Sequence, residues 1–219
     1  MFHYIVTFLR IYFLQNLYFY RKTRNFALRL IILKHNMQKI SQYILRFFGW
    51  KLNVLVNEPA KSVICVAPHT SNWDFPIGKL SYLALGREAS FLMKKSWFFF
   101  PMGELFRAMG GIPVDRSKKS SITDLMAEEF ENRSRFHLAI TPEGTRSLVE
   151  KWKMGFYHIA LKANVPIQIA YIDYAKKEMG ILDLFYPTGN EEADLVKIQN
   201  YYKTVQACFP DKFNLSAKK

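Results

Sequence analysis

The stretch SVICVAPHTSNWDFPIGKLSYLALG, residues 62–86, decides how this chain is organised. Residues 62–68 are a β-branched apolar run ended by Pro68, the pattern of a short buried strand. From Phe75 to Leu85 the chain is apolar and helix-forming, and Gly86 stops it. Between them lies the polar loop PHTSNWDF, residues 68–75. A strand passing through a polar loop into a helix is the unit of parallel sheets, and in such sheets sites gather in the loops beyond the strands' carboxyl ends.

The alternation continues downstream. The patterns predict a strand at 89–95, an apolar loop and helix at 96–109, and a short strand inside GGIPVDRS, 110–117. A helix over 119–133 follows, with Leu125, Met126 and Phe130 facing inward, then a strand at 136–140 and the loop TPEGTRS, 141–147. Gly155 to Ala163 reads as a helix, 165–172 and GILDLFYPTG (180–189) as strands, and Glu191 to Cys208 as a final helix. Upstream, Ile40, Tyr43, Ile44, Phe47 and Phe48 recur on one helical face closed by Gly49, residues 51–56 alternate weakly like a strand, and 57–59 make a turn. The expected architecture is a single α/β domain with a largely parallel central sheet flanked by helices, preceded by N-terminal amphipathic membrane-docking helices. The chain divides on this reading into a basic, aromatic-rich helical segment, 1–57, and a domain over 58–219.

Charge supports that division. The 219 residues carry a formal net charge of +13. Residues 1–57 hold nine Lys or Arg and no Asp or Glu, interleaved with Phe, Tyr, Leu and Ile. Basic residues mixed with large apolar ones suit an anionic membrane surface. A nucleic-acid partner is the weaker reading, because a basic stripe poor in aliphatics and a recognition motif are both missing from the sequence. Met1 to Tyr20 is the nearest approach to a membrane span, but His3, Arg10, Gln15 and Asn16 interrupt it, so an interfacial or core-docked helix is expected. Met37 opens a second plausible amphipathic beginning, which makes residues 1–36 a candidate dispensable segment. The two cysteines, Cys65 and Cys208, stand apart, Cys65 inside an apolar run, and predict free thiols in a reducing compartment. No Cys/His cluster has metal-ligand spacing.

Three loops carry chemistry. In the first, His69 follows the strand directly and Asp74 comes five residues later. A turn could fold the carboxylate onto one ring nitrogen, fixing the tautomer and freeing the other nitrogen to take a proton from a hydroxyl. Chance would supply only ~0.16 such His–Asp pairs in a chain of this composition, yet a helix-capping Asp beside an ordinary loop His gives the same spacing. In the second, Gly110 and Gly111 allow a tight turn or a close backbone approach, and Arg116 offers a planar fork for phosphate, although an Asp–Arg surface turn is common. In the third, Pro142 and Gly144 fix a turn lined by Glu143, Thr145 and Arg146, with Lys151 and Lys153 close behind. The apolar segment 96–109 reads equally as the flank of an apolar channel or as plain core.

Together these motifs resemble those of the glycerophospholipid acyltransferase family, especially its 1-acylglycerol-3-phosphate acyltransferases. His69 and Asp74 match the family's H-x4-D motif. Gly111, Ile112, Asp115 and Arg116 match a G-x-I-x-x-D-R pattern, Glu143 to Ser147 match E-G-T-R-S, and Val165-Pro166-Ile167 resembles its fourth motif. The likeness covers roughly residues 38–173. It implies acyl transfer from a thioester, carried by coenzyme A or an acyl-carrier protein, to the hydroxyl of a lysophospholipid. His69 would be the base and Asp74 its partner; Gly111, Arg116, Glu143, Gly144, Thr145 and Arg146 would shape the acceptor site. No metal or organic cofactor is implied. The implied location is the cytoplasmic face of the inner membrane, peripheral or monotopic. Acylation of a non-phosphate lyso-lipid, and a catalytically silent lipid-binding protein, are the rival readings.

Overall fold

The computed structural model describes residues 26–115 and 121–215. Elements alternate along the chain: α1 (Phe26–Phe47), β1 (Lys51–Val54), β2 (Lys61–Ala67), α2 (Asp74–Ala84), β3 (Ser90–Lys94), α3 (Met102–Ala108) and β4 (Gly111–Val114) come first. Then follow α4 (Ser121–Asn132), β5 (Phe136–Ile140), α5 (Gly155–Ala163), β6 (Ile167–Asp173), β7 (Glu178–Phe185) and α6 (Glu191–Asn200). The seven strands form one sheet in the order β1-β7-β6-β2-β5-β3-β4. From β6 to β4 every pairing is parallel. β7 returns antiparallel to β6, because residues 174–177 make a short hairpin with no room for a crossover helix, and β1 pairs parallel to β7. β1 lies within the basic segment 1–57, so that segment contributes a strand to the sheet.

The β-branched run around Cys65 sits at the centre because both of its faces are covered. Val63 and Cys65 point into a core built with Met126 and Phe130 of α4, Phe156 and Ile159 of α5, and Ile198 of α6. Ile64 points the other way, with Tyr82 of α2, Ile172 and Met179. Period-two alternation in a strand with apolar residues at every position therefore feeds two cores at once.

Several expectations shift. Leu125 is exposed while Met126 and Phe130 are buried, since only one stripe of α4 can face the sheet. The last helix ends at Asn200, not Cys208, and the chain passes into turns. Segment 96–109 is not core: Trp97, Phe99, Phe100 and Leu105 are all exposed, Phe100 at 88%.

Helix α1 is amphipathic, but turned over. Gln38 and Gln42 donate to the Ala84 carbonyl at the end of α2, and Ser41 and Leu45 are buried beside them. Leu33, Met37, Tyr43 and Phe47 are exposed. The expected helix between Gln38 and Trp50 is present and runs through Met37, with Phe47 and Phe48 outside the packed face. The expectations for Met1 to Tyr20 lie outside the described residues.

Candidate active site

The loops after β2, β3, β4, β5 and β6 share one edge of the sheet, because these strands are parallel. His69 and Asp74 meet there. Asp74 opens α2, where an acidic residue is favoured by the helix dipole. Its side chain turns back over the loop. Asp74 Oδ2 accepts from the backbone N–H of Thr70 at 2.9 Å and of Ser71 at 2.8 Å, and lies 3.0 Å from His69 Nδ1. Asp74 is thus neither a bare helix cap nor a free surface acid; it ties its loop to the imidazole.

A residue far along the chain completes the clamp. Tyr174, just after β6, donates its hydroxyl to Asp74 Oδ1 at 2.6 Å. Tyr174 is itself held by its N–H to the Gln206 carbonyl, and its ring meets Trp50 edge-on at 5.3 Å. Burial alone would push the Asp74 carboxyl up, but hydrogen bonds from His69, Tyr174 and the Ser71 N–H outweigh it and hold the carboxyl below the usual carboxylate range. Burial, and then the bond to Asp74, push the Tyr174 phenol up, so it stays a donor. A carboxylate cannot donate, so Nδ1 of His69 carries the ring proton and Nε2 is left as an acceptor. The His69 side chain is 18% exposed.

Glu143 lies behind the histidine. Its side chain is buried, and Oε1 accepts the His69 backbone N–H at 2.9 Å. Glu143 therefore fixes the backbone of His69 from the protein side. Oε2 is buried without a hydrogen-bond partner among the described residues. Burial raises the Glu143 carboxyl to about 6, against the lowering effect of its own N–H, the His69 N–H and the His69 charge. This lies above the ordinary glutamate value of 4.5, so folding favours the protonated form. The associated stability is present below about pH 4.5 and is lost as pH rises through about 6. Glu143→Gln is then expected to gain about 2 kcal/mol relative to wild type between pH 4.5 and pH 7. Urea unfolding of both proteins at each pH checks this; a pH-independent difference would rule out the buried charge as its cause.

The rest of the third loop is a tight turn. Gly144 has φ +64°, and its N–H donates to the Thr141 carbonyl at 3.1 Å. A Cβ there would also meet the Lys153 side chain at 3.0 Å. Thr145 Oγ1 accepts the Ser147 N–H at 3.3 Å, and Thr145 and Arg146 are exposed. Gly111 opens β4, at the amino end of the strand and so at the edge of the sheet away from His69; it is buried, and a Cβ on it would stand 2.8 Å from the Phe106 carbonyl oxygen, so α3 can pack on β4 only over glycine. Arg116 lies outside the described residues. His69, Asp74 and Glu143 are thus joined by direct hydrogen bonds, while Arg146 and Thr145 stand on the solvent side of the neighbouring loop. Tyr174 had no signal in the sequence beyond following a strand at its carboxyl end.

Other reactive groups are quiet. Cys65 is fully buried, which pushes its thiol well up, and both cysteines are free. Among the described residues no group of three or more His, Cys, Asp or Glu could hold a metal, and no helix is long and apolar enough to cross a membrane.

Residues 31–172 match the family model described as Acyltransferase. The 1-acyl-sn-glycerol-3-phosphate acyltransferase of Cocos nucifera is 26% identical over 144 residues, which are 58% of this chain and 47% of that protein. The chain thus spans about half the length of this curated relative. The crystal structure of the 1-acyl-sn-glycerophosphate (LPA) acyltransferase PlsC from Thermotoga maritima superposes with a TM-score of 0.55 at 17% identity, covering 91% of this chain and 90% of that one. At that identity the likeness shows a shared fold.

Proposed function

This chain belongs to the acyltransferase family, and from that premise we propose that it moves a fatty acyl group from an acyl thioester to the hydroxyl of a lysophospholipid, 1-acylglycerol-3-phosphate, in phospholipid biosynthesis. The observation that carries the proposal is the clamped pair: His69 Nδ1 at 3.0 Å from Asp74 Oδ2, with the carboxylate held by two backbone N–H groups and the Tyr174 hydroxyl.

In the proposed reaction the acceptor's hydroxyl gives its proton to His69 Nε2 as its oxygen attacks the thioester carbonyl. Asp74 offsets the positive charge that forms on the ring. The tetrahedral oxyanion collapses, the C–S bond breaks, and the leaving sulfur takes the proton from Nε2. The products are an ester and a free thiol, and the imidazole is regenerated. Arg146 and Arg116 would hold the acceptor phosphate, with Gly144 and Thr145 shaping the pocket. Glu143, assigned by resemblance to the same pocket, would act there through the His69 backbone that it holds. The donor is acyl-CoA or acyl-carrier protein.

The protein would work as a peripheral or monotopic enzyme at the cytoplasmic face of the inner membrane, with the basic segment 1–57 against anionic lipid. The outward apolar stripe of α1 supports that reading, because a helix that packs by glutamines and exposes Leu33, Met37 and Phe47 is the reverse of one serving a soluble core.

Release of free thiol from one labelled donor, measured across a panel of acceptors, tests the function. Lysophosphatidate should drive release. Arg146→Ala should raise its KM roughly tenfold with a smaller change in kcat, since a charge-assisted phosphate contact binds ground and transition states alike. Preference for an amino-acid lyso-lipid would replace the acceptor. No thiol release with any acceptor would leave a silent lipid-binding protein.

A further inference from the structure

Asp74 is gripped unevenly. Its Oδ2 meets three groups, the N–H of Thr70, the N–H of Ser71 and His69 Nδ1. Its Oδ1 receives the Tyr174 hydroxyl at 2.6 Å. A carboxylate pinned at one oxygen can rock about that oxygen. Pinned at both, its plane is fixed and Oδ2 stays on the ring. Charge follows the same bonds. A short hydrogen bond to an ionised acceptor draws negative charge toward the oxygen that receives it. The phenol at Oδ1 therefore takes up part of the charge that would otherwise face His69 from Oδ2.

The phenol is itself fixed by distant parts of the chain. Trp50, between α1 and β1, meets its ring edge-on at 5.3 Å and is anchored by its own N–H on the Leu45 carbonyl at 2.8 Å. The segment after α6 takes the backbone. The Gln206 carbonyl accepts the Tyr174 N–H at 2.9 Å, and the Phe209 N–H donates to Thr70 Oγ1 at 3.1 Å. Two of the groups that grip Asp74, the phenol and the Thr70 N–H, thus belong to residues tied to 206–209. A second buried tyrosine–carboxylate pair offers a comparison without an imidazole on the acid. Tyr157 of α5 donates its hydroxyl to Asp194 Oδ2 of α6 at 2.9 Å, and that oxygen otherwise accepts from Thr188.

We propose that Tyr174 is a positioning residue: through Asp74 it keeps the His69 ring in register and limits how tightly that ring holds the proton it accepts. Its part in turnover rests on the acyl-transfer reading; the coupling from phenol to ring does not. The other titratable groups that interact with these three are Glu143, from the loop after β5, and Cys208, from the segment after α6. The variants below leave both in place.

Titration of the His69 ring, followed by NMR on histidine-labelled protein with its signals identified by their loss in His69→Ala, tests the coupling without substrate. In Tyr174→Phe the midpoint should move to higher pH by roughly half a unit or more, because Oδ1 no longer shares the charge. With 3-fluorotyrosine at position 174, a stronger donor of nearly the same shape, it should move to lower pH. The two replacements must act in opposite directions; any other result overturns the proposal, and if the phenylalanine variant does not fold, the fluorinated one decides alone. Tyr157→Phe should lower the urea midpoint and leave the His69 titration where it is. An equal movement there also overturns the proposal. In thiol release with lysophosphatidate, Tyr174→Phe should lower kcat roughly tenfold, more at about pH 6 than at about pH 8, with KM changed less than about twofold. A loss equal at both pH values marks a merely structural tyrosine and overturns the proposal as well. A wild type that releases no thiol would sink the reaction, while the titration still decides the coupling.

Discussion

His69→Ala is expected to reduce thiol release by roughly 10³- to 10⁴-fold in kcat, the loss that follows removal of a positioned general base. The fold should survive. Glu143 holds this residue through its backbone N–H, which alanine retains, and among the described residues the imidazole bonds only to Asp74. Vesicle binding and the urea midpoint should therefore stay close to wild type while turnover collapses. If the variant keeps most of its turnover, the proton leaves by another route and the base assignment fails.

Asp74→Asn should cost roughly 10²- to 10⁴-fold in kcat while leaving the loop in place. The amide oxygen can occupy the position of Oδ2 and still accept from Thr70, Ser71 and His69. The amide nitrogen then faces Tyr174, whose hydroxyl can turn to accept. What disappears is the negative charge that offsets the imidazolium. Asp74→Ala should behave differently. It also strips the acceptor from two N–H groups in a buried loop, at roughly 1–3 kcal/mol each, so this variant should unfold at lower urea. In the His69→Ala background, Asp74→Asn should add almost no further loss, since the two residues act as one unit. Full additivity of the two losses would show that Asp74 serves some other step.

The strand–loop–helix reading of residues 62–86 placed β2 and α2 within one or two residues of where they stand. It succeeded because the signals are local: a β-branched run must be buried, and a glycine with φ +71° stops the helix at Gly86. The His69–Asp74 pair was readable for the same reason, being closed by five residues of chain. Glu143 and Tyr174 were not readable in their roles. Their bonds span 74 and 100 positions, and nothing in EGTR or in the residues after β6 says which way a side chain turns once the sheet has formed. The same holds for α1. Its apolar stripe was visible, but a period of 3.6 does not say whether the stripe faces the protein or leaves it.

The sequence by itself determined the alternation of strands and helices, the loops that carry polar groups, and the local His–Asp partnership, because each follows from neighbours along the chain. Tertiary structure alone decided that Glu143 holds the His69 backbone from behind, that Tyr174 closes the clamp on Asp74, and that the aromatics after β3 stand exposed. These depend on the order and direction in which strands pair. Only that packing converts distant positions into hydrogen-bonding distances and sorts apolar side chains into those that are covered and those that are not.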